Sequence, residues 1–138
     1  MAFPNGAGGY QVGDGNLGEV IIGYGAAPLS VTATATLTAA QVTAGMLLVG
    51  SGATAAQTYT LPAASLIDAV VTSAKPGSTF DLNVINLGTS SGTAALAMGT
   101  GTGFTDGGNA ATTVAITASA MYRFRKSDDA AWTVYKVA

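Results

Sequence analysis

Val31-Thr32-Ala33-Thr34-Ala35-Thr36-Leu37 alternates without a break, its threonines all on one side of the chain. A period of two is the pattern of a β-strand with one covered face. The flanking sequence continues in the same style. Thr38-Ala39-Ala40-Gln41 reads as a capping box, with threonine at the N-cap and glutamine at N3, and Gly45 is placed to end that short helix. Met46-Leu47-Leu48-Val49 predicts a buried strand, Gly50-Ser51-Gly52 a loop, and residues 57–61 a second alternating strand with Tyr59 and Leu61 on one side. Pro62 suits the first turn of a second helix, because its missing N–H is not needed there. Ala63, Leu66, Ile67, Val70 and Val71 then form an apolar stripe at helical spacing, and Lys75-Pro76-Gly77 stops it. The stripe predicts a helix that covers one open end of a sheet sandwich.

Residues 78–87 are the strongest strand after this helix. Phe80, Leu82 and Val84 face one way, whereas Ile85 and Leu87 face the other, which predicts a bulge or a change of partner near Asn86. Residues 93–98 form a short strand, and Gly99-Thr100-Gly101-Thr102-Gly103 a loop. Asp106-Gly107-Gly108-Asn109 is a turn cluster, and residues 112–117 are another strand. Met121-Tyr122-Arg123-Phe124-Arg125 puts core-type and cationic residues on opposite faces. Ser127-Asp128-Asp129-Ala130 is a tight turn, and residues 132–137 close a hairpin. About eight short strands at roughly ten-residue spacing, with glycine-rich turns, indicate a mostly-β fold: a β-sandwich, jelly-roll-like, with one or two short helices. The sequence shows no fixed-period repeat and no second domain.

Residues 1–30 differ from the sandwich domain assigned to residues 31–138. Eight of the 19 glycines lie between Gly6 and Gly25. Glycine is the residue that loses most entropy on ordering, so such a segment builds no core of its own. Phe3, Tyr10, Leu17, Val20, Ile21, Ile22 and Tyr24 are spaced through it like anchors. They predict an extended arm that packs on a neighbouring subunit or an underlying surface, with Phe3, Tyr10, Leu17, Ile21 and Tyr24 as its contact residues. The opening Met1-Ala2-Phe3-Pro4-Asn5-Gly6 has neither the positive nor the apolar region of a signal peptide.

Chemistry is the scarce commodity in this chain. It contains no histidine and no cysteine, with five Lys or Arg and seven Asp or Glu among 138 residues. Histidine-based triads and cysteine-based sites are therefore impossible. Gly13-Asp14-Gly15-Asn16-Leu17-Gly18 matches a dinucleotide fingerprint by letter, but the strand-like Glu19-Val20-Ile21-Ile22 follows it where a helix is required. The same stretch fails as a calcium loop, because glycine sits where the third oxygen ligand should be and the twelfth-position glutamate is missing. Of the acids Asp14, Glu19, Asp68, Asp81, Asp106, Asp128 and Asp129, only Asp128 and Asp129 adjoin, inside a turn. We assign no catalytic, cofactor-binding or metal-binding residue, and expect a chain that is not an enzyme.

A net charge of −2 argues against nucleic-acid and anionic-membrane partners. The longest apolar runs fall far short of the roughly 20 residues of a spanning helix. Charged residues make up 9% of the chain, where about 25% is usual for a soluble domain, and the mean hydropathy is positive. Much of its surface is then expected to be covered by other subunits. Arg123, Arg125 and Lys126 form the one basic cluster, and period-two spacing puts both arginines on one strand face. They are candidates for charged contact with a neighbour; a solvated outer face is the competing reading. Trp132, Tyr122 and Phe124 read as core.

Five stretches carry a resemblance: Leu37-Thr38-Ala39-Ala40-Gln41, Thr60-Leu61-Pro62-Ala63-Ala64, residues 77–86, the loop 99–103 and the aromatic hairpin 121–137. From Thr36 to Val137 the chain resembles capsid decoration (cement) proteins of tailed bacteriophages. The resemblance implies a β-sandwich or jelly-roll fold, a homotrimer, and attachment to the major capsid protein. It places the protein on the outer surface of the virion, bridging adjacent capsomers, without catalytic residues or cofactors. The arm lies outside the resemblance. Two rival readings stay open: a phage tail, fibre or receptor-binding component, and a small carbohydrate-binding β-sandwich module.

Overall fold

The computed structural model describes residues 2–4, 11–13 and 25–138. Two short strands, β1 (Ala2–Pro4) and β2 (Gln11–Gly13), pair antiparallel with each other. Tyr10, Leu17, Ile21 and Tyr24 lie outside the described residues, and of Phe3 only the strand backbone is described.

From residue 29 onward the chain weaves between two sheets. Strand β3 (Leu29–Val31) enters a six-stranded sheet, so that sheet takes in Leu29 and Ser30 from the stretch read as arm. Strand β4 (Ala35–Thr36) belongs to a four-stranded sheet. The alternating run 31–37, expected as one strand, is therefore split. The Gln57 Oε1 atom accepts from both the Thr34 N–H (2.7 Å) and the Thr34 hydroxyl (2.9 Å), which fixes the bend. Small threonine and alanine side chains supply little burial to oppose it, and in this run only Leu37 is fully buried, with Val31 packed at the core's edge.

Helix α1 (Ala39–Thr43) has the expected capping box, with Gln41 N–H donating to Thr38 Oγ1 and Thr38 N–H donating to Gln41 Oε1. Gly45 follows at φ +82° and lets the chain leave the helix. Strand β5 (Met46–Val49) lies in the larger sheet and β6 (Gln57–Thr60) in the smaller. Helix α2 (Ala64–Val70) begins after Pro62, which precedes the N-cap Ala63 instead of occupying the first turn. Its stripe is also rotated from expectation. Ala64 and Ile67 are buried, whereas Ala63, Leu66 and Val70 face outward.

Strand β7 (Thr79–Asn86) returns to the larger sheet and β8 (Ala94–Ala97) to the smaller. No bulge forms near Asn86. Its alternation simply continues, with Leu82, Val84 and Asn86 inward and Ile85 and Leu87 outward. The register of the parallel pairs shows why two sheets form. Met46 sits opposite Asn83 and Gln57 opposite Ala94, separations that are equal in sequence. Strands β5 and β6 thus lie in the same register against β7 and β8, whereas the preceding parallel pairs, Leu29 with Leu47 and Ala35 with Tyr59, have shorter and unequal separations. Inward positions coincide, Leu47 over Val84, Val49 over Asn86 and Tyr59 over Leu96, although the residue types do not. This match between β5–β6 and β7–β8 leaves no repeat in the sequence.

The remaining strands close the sheets. Strand β9 (Phe104–Gly108) occupies a stretch read from sequence as a turn cluster, and it pairs parallel to β12 (Ala131–Lys136) at the far edge of the larger sheet. Strand β10 (Thr113–Val114), shorter than expected, pairs antiparallel with β8. Strand β11 (Ser119–Asp128) lies antiparallel between β7 and β12. The bulges occur here, between Lys126 and Asp128 and between Val134 and Tyr135. The result is a mostly-β fold with mixed sheets, in the orders β10-β8-β6-β4 and β3-β5-β7-β11-β12-β9.

One hydrophobic core takes residues from both sheets and both helices. Its largest members, Trp132, Tyr59, Tyr122 and Phe124, are almost wholly buried. Phe80 stacks on Phe124 at 4.8 Å and meets Trp132 edge-on at 5.2 Å, the geometries that the ring quadrupoles favour.

Candidate functional site

Strand β11 carries the basic residues named from the sequence, and its pleat separates them. Arg123 and Arg125 are exposed on the outer face, whereas Lys126 points inward and is buried. Lys126 continues the inward alternation of Tyr122 and Phe124, and the bulge follows it. The expected cluster of three is thus a pair on the outside and one cation within.

Arg123 stands directly opposite Asp81 on β7. Its Nε and Nη2 donate to the two oxygens of that carboxylate at 2.8 and 2.9 Å, a bidentate pair. The guanidinium holds the Asp81 carboxyl below the usual carboxylate range, against the smaller upward push of partial burial. Arg125 faces Thr79 and, among the described residues, has no ion-pair partner.

Lys126 donates from Nζ to Asp68 Oδ2 at 2.6 Å and lies 5.4 Å from the centre of the Trp132 ring. Asp68 also accepts from the Ala130 N–H and from the Trp132 indole, both at 2.8 Å. Burial pushes the Asp68 carboxyl up, but these donors and the ammonium charge outweigh it and leave the group below its ordinary range. This cluster ties α2 to the hairpin β11–β12. Its atoms are used for structure.

Two further described acids, Asp106 and Asp128, are occupied likewise. Asp106 accepts from the N–H groups of Ala110, Gly108 and Ala111, which lower its carboxyl against a burial push. Asp128 accepts from the Asp129 N–H in the predicted turn. Buried Asn86 donates to the carbonyls of Gly92, Val114 and Ala115 and accepts from the Gly88 N–H, joining β7 to its following loop and to β10. Among the described residues no group of three acids could hold a metal ion, and no helix is long and apolar enough to cross a membrane.

Much of what is left uncommitted is apolar. Leu29, Met46, Leu66, Val70, Leu87 and Val137 are 38–53% exposed. The sheet register places Met46 beside partly buried apolar neighbours. Met46, Asn83 and Met121 form one row across β5, β7 and β11, and Leu48 and Ile85 form the next, all on the outer face of the larger sheet. Met46, expected to be buried, is on that face. The Arg123–Asp81 pair borders the row, and Val137 joins Met121 through a backbone hydrogen bond. Leu66 and Val70 form a second apolar patch on α2. The missed signal was present in the sequence: Met46-Leu47-Leu48-Val49 and Val84-Ile85 are apolar at consecutive positions, which gives a strand two apolar faces.

Comparison of the chain with protein-family models, with curated proteins and with solved structures finds no match.

Proposed function

We propose that this chain is a structural virion protein that binds the outer surface of a phage capsid and stabilises the shell by bridging neighbouring capsomers. On this reading it acts as a homotrimer on the major capsid protein, holds no cofactor and is not an enzyme. Residues 31–138 are then a β-sandwich, jelly-roll-like in its two sheets around one core. Its five parallel ladders depart from the antiparallel pairing usual in jelly rolls. Residues 1–30 are the arm that reaches a neighbour.

The observation that carries the reading is the set of half-exposed large apolar side chains on a chain with so few charges. Exposed apolar patches of this kind mark surfaces that other molecules cover. Many copies on one shell turn a modest contact per copy into firm attachment. Binding only the expanded shell would stabilise that state by mass action. Trp132, 1% exposed, is withdrawn from any role as a glycan-stacking platform, which weighs against the carbohydrate-binding rival.

Cryo-electron microscopy of the source virus tests the proposal. Density for this fold on the head, at capsomer junctions, is the expected result. Density on the tail, or none on the particle, overturns it.

A further inference from the structure

Seven aromatic rings lie between residues 25 and 138, and six of them are buried in the core or packed against it. Tyr135 is the seventh. Its neighbours along β12, Trp132 and Val134, are buried, so Tyr135 shares the outer face of the larger sheet with Thr133 and stays partly exposed. The ring lies against Gly107 of β9. A Cβ at that position would overlap Tyr135 Cε1, and would come within 2.8 Å of its Cζ and 2.5 Å of Thr133 Cγ2. The bulge between Val134 and Tyr135 leaves Gly107 without an opposite residue on β12. Glycine at the bulge lets the ring rest on backbone, which braces it from the β9 side.

The register sets charge beside this ring. Tyr135 stands opposite Arg123, and Arg123 opposite Asp81; in the adjoining row Thr133 stands opposite Arg125, and Arg125 opposite Thr79. Arg123 and Asp81 neutralise each other through two hydrogen bonds. Arg125 is exposed and has no ion-pair partner among the described residues, so the patch carries one spare positive charge. Arg125 is a diagonal neighbour of Tyr135, about 7–8 Å away along the sheet. An aromatic ring, a free guanidinium and the hydroxyls of Thr79 and Thr133 match a ligand with an apolar C–H face, a carboxylate and a rim of hydroxyls. We propose that this patch is a binding site for a carboxylate-bearing saccharide, with a sugar ring stacked on Tyr135 and its carboxylate held by Arg125. The Asp81 carboxylate and the net charge of −2 disfavour a phosphate chain in the same place. The site is additional to shell attachment and belongs to the free chain.

Titration of the full chain with trigalacturonate and with sialyllactose, followed by NMR, tests this. Methyl-esterified trigalacturonate and lactose serve as their neutral counterparts. At least one carboxylated probe is expected to shift the Tyr135 ring and Arg125 Nε resonances together and saturably, with its neutral counterpart bound far more weakly. Arg125→Gln should weaken that binding about tenfold, the loss of one charged hydrogen-bonding partner. Tyr135→Leu keeps apolar cover over Gly107 but offers no aromatic face, and should abolish binding, whereas Tyr135→Phe retains it. An unchanged urea midpoint shows that each variant is folded. No binding of either carboxylated probe overturns the proposal, as does equal binding of the neutral counterparts or indifference to Arg125→Gln and Tyr135→Leu. Equal binding of an oligothymidylate or of tetra-aspartate overturns the saccharide assignment in favour of a nucleic-acid or acidic-peptide surface.

Discussion

Asp68→Asn is the most informative single change in this fold. It keeps the shape of the side chain and removes the charge that balances the buried Lys126 ammonium. Three donors converge on Asp68, namely Lys126 Nζ, the Ala130 N–H and the Trp132 indole. An asparagine presents one acceptor and one donor, so one of the three must face an N–H. Breaking a buried ion pair from one side costs about 3–5 kcal/mol. Asp68 keeps 24% of its side-chain surface in solvent, against 3% for Lys126, so screening places the loss near the lower end, ~3 kcal/mol. That corresponds to a drop in Tm on the order of 10 °C for a domain of this size. Lys126→Met removes the charge together with its need for a partner and should cost about 1 kcal/mol, because Asp68 retains two donors and some solvent. The Asp68 pKa lies lower in the folded chain than in the unfolded one. Its contribution is therefore complete above the unfolded value near ~4 and disappears as pH falls through the folded value. Urea unfolding of both variants at neutral pH, and of Asp68→Asn down to acid pH, measures all of this. A penalty for Asp68→Asn under about 1 kcal/mol at neutral pH, or one that fails to shrink in acid, refutes the assignment.

Three further outcomes follow from local geometry. Gly103 has φ +86°, and a Cβ there would run into the Ala130 carbonyl oxygen and meet Ala64 Cβ at 2.8 Å; Gly103→Ala should cost at least ~2 kcal/mol in thermal unfolding. Asn86→Asp replaces a donor to three carbonyls by an acceptor, and a lowered urea midpoint equivalent to roughly 3 kcal/mol is expected with the slope unchanged. The pair Leu66→Asp and Val70→Asp, on the outward face of α2, should leave folding within about 0.5 kcal/mol but abolish association with shells or with further copies, as read by sedimentation. Unchanged association would remove α2 from the interface.

Local grammar was legible where it depends on neighbours in sequence. The Thr38–Gln41 capping box, the exit at Gly45 and the hairpin 121–137 need only a few consecutive residues to declare themselves, and the structure has all three. Burial of Trp132, Tyr122 and Phe124 was equally visible, because large aromatics alternate there with polar residues. The misreadings share one cause, a pattern whose meaning depends on a distant partner. The run 31–37 alternates perfectly, yet Gln57 bends it between sheets. Ile85 and Leu87 looked like a break in pattern because the outer face was assumed to be polar. Lys126 read as part of a surface cluster because nothing nearby in sequence announces Asp68. The arm's anchors Tyr10, Leu17, Ile21 and Tyr24 fall outside the described residues, and Phe3 is described only as strand backbone.

The scarcity of charge acquires a physical meaning once the charges are located. Lys126 and Asp68 hold a helix to a hairpin, Arg123 and Asp81 staple two strands, and Asp106 and Asp128 organise turns. Among the described residues the charges left on the outside besides these are few, Lys75, Arg125 and Asp129 among them. A surface with few long charged side chains gives up little rotamer entropy when covered, and it needs no counter-charges in its partner. On the proposed reading its recognition comes from area and shape, and Met46, Leu66, Val70 and Val137 are the exposed apolar side chains available for it. Such contacts are weak singly and indifferent to salt, since screening acts only on charges. That combination suits attachment in many copies to a repetitive lattice better than capture of a single charged ligand, for which electrostatic steering would be the economical design.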